Sequence, residues 1–201
     1  MADIVELIFE DHQWFRRQFA DLDELRAQSP RDCAALEAVW KPLARRLDVH
    51  AVAEEEIFYP QLLRVGDDAR PETLDAIGDH NDIRDGVHDA EKHAVGDAQW
   101  WAAVRRAREA NDEHMAEEER EGLADFRRTA TAAFRDALGR RFAAYLSEHR
   151  TADDIDTSDI DPEGYVEEVA EELSEDEGHT GSLRIGSMKD RGTRRRVHRD
   201  A

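Results

Sequence analysis

Apolar residues recur along this chain at alternating intervals of three and four. One stripe runs Leu36, Trp40, Leu43, Leu47 and, further on, Ile57, with His50 and Glu54 filling the two positions between. Another runs Trp100, Val104 and Ala107, then Asn111, His114 and Glu118. Two more read Ile8, His12, Phe15, Phe19, Leu22 and Leu74, Ile77, His80, Ile83, Val87. This is the period of a buried helix face, so the pattern predicts four core helices. A fifth amphipathic helix is expected over 131–149, with Phe134, Leu138, Phe142, Tyr145 and Leu146 on one side, against the bundle or in a dimer contact. The fold class is all-α, an up-down four-helix bundle with one added helix.

The breaks between stripes are marked. Asp3 caps the first helix, with Glu6 as its capping-box partner, and Ser29-Pro30-Arg31-Asp32 stops it after about Gln28. Pro42 lies within the second stripe without shifting its phase, which predicts a kinked helix rather than two helices. Pro60 should distort the end of that helix, Gly66-Asp67-Asp68 forms a loop, and Pro71 suits a first turn. Gly78 and Gly86 flank the His80 turn at about 1 kcal/mol each relative to alanine, either admitting a neighbour closely or serving no purpose. Val95-Gly96-Asp97 separates the third helix from a fourth that runs to about Arg128. Beyond Thr151 the chain turns acidic and then glycine- and arginine-rich. Residues 151–201 are expected to be a mostly disordered acidic tail with one short helix near Glu163 to Leu173, distinct from a bundle domain over 1–150.

The polar residues on the stripes carry the chemistry. An unpaired buried carboxylate costs several kcal/mol, so Glu54 and Glu118 must be paired, protonated or bound to a metal. His50 and Glu54, and again His114 and Glu118, stand four residues apart, on one helix face. Each pair is preceded by a lone stripe histidine, His12 and His80, and each of those follows an aspartate. His12 to His80 is a step of 68 residues and His50 to His114 a step of 64, the mark of a duplicated helical hairpin. Histidines hydrogen-bonded to glutamates would account for one pair. Four imidazoles and two carboxylates in register on four helices suit a pair of iron or manganese ions in a bundle core.

The pattern resembles the hemerythrin-like HHE cation-binding domains over roughly residues 4–128. His12, the run His50-Ala-Val-Ala-Glu54-Glu-Glu-Ile-Phe-Tyr-Pro60, His80, and His114 with Glu118 match the family's four helical motifs in order. The resemblance implies two iron ions bridged by Glu54, Glu118 and an oxo or hydroxo oxygen, with the four histidines as terminal ligands. Manganese or zinc would suit the same ligands. Family activities span dioxygen binding, reaction with hydrogen peroxide or nitric oxide, and iron sensing. Oxygen-carrying members have a second third-helix histidine one turn away; here those positions are Ala76 and Arg84. Their fourth-helix carboxylate is an aspartate five residues after the histidine, where this chain has Glu119. These departures favour redox or peroxide (catalase-like) chemistry over oxygen carriage.

Around the six ligands, Tyr59, Glu55 and Glu119 are candidates for a supporting role, though Glu55 and Glu119 also suit a solvated face. His88, His93, His149, His179 and His198 are expected at the surface or in the tail. Across 201 residues the formal charge is −20, with 38% charged residues and a mean hydropathy of −0.79, which argues against broad nucleic-acid binding. Cys33 is the only cysteine, so no intrachain disulfide forms. The acidic N-terminus is no signal peptide, and no apolar run nears the ~20 residues of a membrane helix. The expectation is a soluble, cytoplasmic monomer or homodimer with a small oxidant ligand and an unidentified redox partner. The rival expectations are a metal-dependent sensor read out through the fifth helix and tail, and a metal-free bundle.

Overall fold

The protein, seen in a computed structural model, is described over residues 3–28, 32–150 and 152–179. The described residues are helical throughout, with short connections. Helices α1 (Ile4–Gln28) and α2 (Cys33–Ala53) form one hairpin; α4 (Ala69–Glu91) and α5 (Ala98–Arg120) form the other. A five-residue π-helical turn, Glu54–Phe58, continues α2 and leads into α3 (Tyr59–Val65). Helices α6 (Gly122–Thr129), α7 (Ala132–Glu148) and α8 (Pro162–His179) follow. The all-α bundle expected from the stripes is therefore present.

The caps explain several boundaries. Asp32 accepts the Ala35 N–H at 3.0 Å and opens α2; Asp97 accepts the Trp100 N–H at 2.7 Å and opens α5. Gly96, at φ 88°, takes the left-handed turn between α4 and α5 that a side chain would resist. Helix α2 runs through Pro42 unbroken. The expected fourth helix to Arg128 is instead two: at Glu121 the backbone leaves the helical region (φ −112°, ψ −80°), and α6 begins at the poor helix former Gly122.

The core is two apolar clusters with a polar layer between. One cluster gathers Ile4, Ile8, Ile57, Phe58, Ile77, Phe126 and Phe142; the other gathers Phe15, Phe19, Trp40, Leu43, Ile83 and Trp100. His12 lies between Ile8 and Phe15 in α1, and His80 between Ile77 and Ile83 in α4. Helix α7 packs on α1, α2 and the π turn, burying Leu138, Phe142 and Leu146.

The expected boundary at residue 150 needs correction. The short helix anticipated near 163–173 extends from Pro162 to His179 and belongs to the bundle. Asp161 caps it by accepting the Gly164 N–H at 3.2 Å. Ile160, Tyr165, Val166 and Val169 join the first apolar cluster, each such side chain contributing about 1.5–3 kcal/mol on burial. Asn81 clamps the approach, donating to the Ile160 carbonyl at 2.8 Å and accepting its N–H at 2.9 Å. Glu163, Glu167, Glu168, Glu171, Glu172 and Glu175 sit on the outer face of α8, and a few apolar residues among them suffice to dock it. The arginine-rich segment near 194–199 lies outside the described residues.

The two glycines of α4 differ. A Cβ on Gly86 would meet the Ala107 backbone at 2.6 and 2.8 Å, so this glycine sets the close approach of α4 to α5, whereas a Cβ on Gly78 would meet nothing within 4 Å. Gly86→Ala should therefore destabilise the fold by about 1–3 kcal/mol, and Gly78→Ala should stabilise it by about 0.5–1 kcal/mol. Denaturant melts of the two variants check both signs.

Candidate metal centre

All six stripe ligands meet in the polar layer. His12 comes from α1, His50 from α2, Glu54 from the first position of the π turn, His80 from α4, and His114 and Glu118 from α5. Each is at most 5% exposed. They fall into three overlapping groups whose donor atoms lie within 4.8 Å of one another: His12, His50 and Glu54; Glu54, His80 and His114; His12, His114 and Glu118. Glu54 is shared by the first two groups. Its Oε1 is 2.9 Å from His50 Nε2, and its Oε2 is 3.3 Å from His80 Nε2 and 3.9 Å from His114 Nε2. Glu118 Oε2 stands 3.3 Å from His12 Nε2, and Tyr59 donates its hydroxyl to Glu118 Oε1 at 2.8 Å.

The outer nitrogen of every ring faces a carboxylate. His12 Nδ1 donates to Glu119, His50 Nδ1 to Asp11 and His80 Nδ1 to Glu55, each at 3.0 Å; His114 Nδ1 lies 3.7 Å from Asp79. With Nδ1 as the donor, each neutral ring turns its Nε2 lone pair inward. Those lone pairs confront each other and the carboxylate oxygens. His80 Nε2 and His114 Nε2 are 3.3 Å apart. Nε2 of His12 and His50, both oxygens of Glu54 and Oε2 of Glu118 are buried without a hydrogen bond of acceptable geometry. Buried acceptors facing acceptors are tolerated only with cations between them. Imidazole nitrogens and carboxylate oxygens are the donor set for such a cation, so the residues present fit a bound metal.

The supporting residues follow the same repeat as the ligands. Asp11, His12 and Arg16 correspond to Asp79, His80 and Arg84 at a separation of 68; His50, Glu54 and Glu55 correspond to His114, Glu118 and Glu119 at 64. Arg84 donates to Glu55 at 2.6 Å, and Arg16 to Glu119 at 2.8 Å. Glu55 thus lies at 0% exposure, not on a solvated face, and Glu119 is partly buried at His12. Arg84 serves that buried Glu55. Arg46 holds Asp11 through two bonds, at 2.8 and 3.2 Å, and the matching position beside Asp79 is Ala110. Sequence reasoning placed no role on Asp11, Asp79, Arg16 or Arg84, although the duplication spacing repeats all four.

The π turn explains how Glu54 and Glu55 both face inward. A π-helical turn adds a residue to the turn and rotates the chain beyond the α-helical phase. Tyr59 N–H reaches back to the Glu54 carbonyl, five residues earlier. Pro60 has no N–H for the Glu55 carbonyl, which instead accepts the Tyr165 hydroxyl of α8 at 2.6 Å.

The carboxylates dominate the electrostatics of the layer. Burial alone would depress His50 and His114. The carboxylates of Glu54 and Asp11 outweigh it at His50 and push it up to about 9; those of Asp79, Glu54 and Glu118 push His114 up to about 10. At Glu55 burial opposes ionisation, but Arg84 and His80 win and hold it near about 2. Tyr59 is pushed well above the usual tyrosine range, by burial first and then by Glu118, so it remains a donor.

A crevice of about 20 Å³, room for about one water, opens beside Tyr59, His114 and Glu118. Its rim carries Glu72, Asp75, Asp79, Glu117 and Glu121. Burial and the charges of Asp125 and Glu121 raise Glu72 to about 7.

A helical bundle with a buried histidine–glutamate layer of this kind defines a class of cation-binding proteins. The chain matches the family model of the hemerythrin HHE cation binding domain over residues 3–126, and it belongs to that family. No curated protein and no solved structure matches it. Among the described residues no helix is long and apolar enough to cross a membrane.

Metal ligation requires neutral imidazoles, so binding near pH 7 should expel protons from His50 and His114, and affinity should rise with pH until about 9–10. Calorimetry in buffers of different ionisation enthalpy measures the release. The metal-free fold should behave oppositely. Both histidines sit above the ordinary 6.5, so their stabilisation is complete below that pH and is lost as pH rises through about 9–10. Urea melts of stripped protein across that window check the sign.

Proposed function

We propose that this chain is a non-heme di-iron protein that binds or reacts with a small oxidant: dioxygen, hydrogen peroxide or nitric oxide. The observation that carries the reading is the set of inward lone pairs, in which Glu54 and Glu118 each stand between histidines of both halves. Bound there, an iron pair supplies the electrons or the open coordination position that such molecules need. His12, His50, His80 and His114 would hold the iron pair as terminal ligands, with Glu54 and Glu118 shared between the two ions.

The chain's own residues set the conditions. The apolar clusters exclude bulk water on both sides of the layer. Glu119, Asp11, Glu55 and Asp79 fix the ring tautomers and make Nε2 a better donor. Tyr59 orients Glu118 and holds a proton beside the crevice. The crevice has room for about one water, a size that suits a small oxidant rather than an organic substrate. The positions one turn either side of His80 are Ala76 and Arg84, and Arg84 is engaged with Glu55, so α4 offers His80 as its one histidine to a metal pair.

A second reading, a metal-dependent sensor without turnover, is favoured by one contact. Tyr165 of α8 bonds the π-turn carbonyl next to the ligand Glu54, so a change at Glu54 reaches the C-terminal helix directly.

Elemental analysis of protein purified without chelators should find about two irons per chain, with charge-transfer absorption. The pair Glu54→Ala with Glu118→Ala should abolish both, and unchanged iron content in that variant would reject the assignment. Glu55→Gln should weaken iron retention by about 10–100-fold while leaving the six ligands in place. For the sensor reading, peroxide turnover per iron no faster than that of free iron, together with metal-dependent protease cleavage near α8, would put it ahead; Tyr165→Phe should then break the link.

A further inference from the structure

Helices α1, α2 and α7 border a groove of about 790 Å³, within the size range of small-molecule sites. Its chemistry runs against the rest of the protein. The chain carries a formal charge of −20, yet Arg17, Arg45, Arg46 and Arg150 all border this groove. The acidic residues there are Glu10 and Asp11, and Asp11 is already held by Arg46 and His50. Among the described residues Arg17, Arg45 and Arg150 make no hydrogen bond or ion pair. Elsewhere on this acidic surface Arg70 is paired with Glu163 and Arg108 with Asp23. Three unpaired guanidinium groups around one cavity are an unmet demand for negative charge.

The groove also has an apolar, aromatic side. Phe9 stands 44% exposed at its edge, the one large hydrophobic residue so exposed among the described residues. Trp14 is braced edge-on against Phe15 at 5.7 Å and lines the same cavity, with Val49 and Leu146 beneath. Rings beside guanidinium planes favour a flat conjugated body, and the guanidinium forks favour a phosphate over a single-point anion.

We propose that this groove is a binding site for a phosphorylated planar aromatic molecule of mononucleotide size. The phosphate sits among Arg17, Arg45 and Arg150, and the ring system lies against Phe9 and Trp14. Arg46 joins the groove to the metal centre. It holds Asp11, which holds His50, so an anion that draws on Arg46 competes with Asp11 and alters the support of that ligand. The other half of the chain has Ala110 where Arg46 stands, so the link is peculiar to this side.

The test uses the full-length, metal-loaded chain and two probes, flavin mononucleotide and riboflavin, which share a ring system and differ by the phosphate. Calorimetry should show saturable binding of flavin mononucleotide at one site, with riboflavin weaker by about tenfold or more. The variant Arg17→Glu with Arg45→Glu should lose about a further tenfold while keeping its helical circular dichroism and its iron. Phe9→Ala should weaken both probes alike. No saturable binding up to about 1 mM, equal binding of the two probes, or binding indifferent to the arginine reversals would each overturn the proposal. So would a sedimenting dimer that Phe9→Glu dissolves, because the groove would then be covered by a second copy.

Discussion

The rest of the molecule depends on one electrostatic constraint: a buried layer in which ring lone pairs and carboxylate oxygens point at one another. No arrangement of neutral protein groups resolves it, because every inward atom is an acceptor once the outer ring nitrogens have spent their protons. Only positive charge placed in the middle does. Protons meet the need in part, which is why His50 and His114 hold theirs far above the ordinary range. A metal meets it more fully, and it is bound by neutral rings. The apolar clusters above and below raise the stakes by removing water, the one other source of compensation. The buried arginine at Glu55 and the half-exposed one at Glu119 belong to the same problem, one shell further out.

Much of this was legible in the sequence. Polar residues at Leu-like positions of a helical stripe announce a functional layer, and the duplicated spacing puts the four helices in order. The supporting shell was harder to read, for a geometrical reason. Glu55 is one residue past Glu54, and on an α-helix adjacent side chains diverge by about 100°, so the stripe assigned it to solvent. The π turn breaks that rule. Its local sign, a proline shortly after a run of glutamates, indicates a disturbed helix end without giving its phase. The docking of helix α8 was missed for another reason: Tyr165, Val166 and Val169 are few, and the acidic composition around them is also that of a chain with no core to join. Composition averages over a segment, whereas docking depends on one face of it.

The same turn ties the acidic C-terminal helix to the centre. Pro60 removes a donor that the Glu55 carbonyl would otherwise use, and a tyrosine about a hundred residues later supplies it. The backbone fault that aims two carboxylates inward is thus repaired from outside the four-helix repeat, which explains why α8 belongs to the bundle although the repeat ends before it.

The ring of supporting bonds has the form of an isologous contact. Two of the four links, Asp11 to His50 and Asp79 to His114, stay within a hairpin. The other two, Glu55 to His80 and Glu119 to His12, cross between hairpins in matching fashion, each with its own arginine. Two identical hairpins about a rotation axis would satisfy every one of them. Such a pair would be bound to mirror each change on both sides at once. A single chain that carries both halves is free of that obligation, so the repeat can carry Ala110 where its other half has Arg46, and Leu123 where its other half has Tyr59. One side of the histidine–glutamate layer is then clamped by Arg46 and Asp11 while the other lies beside a crevice, a division of labour closed to a symmetric assembly.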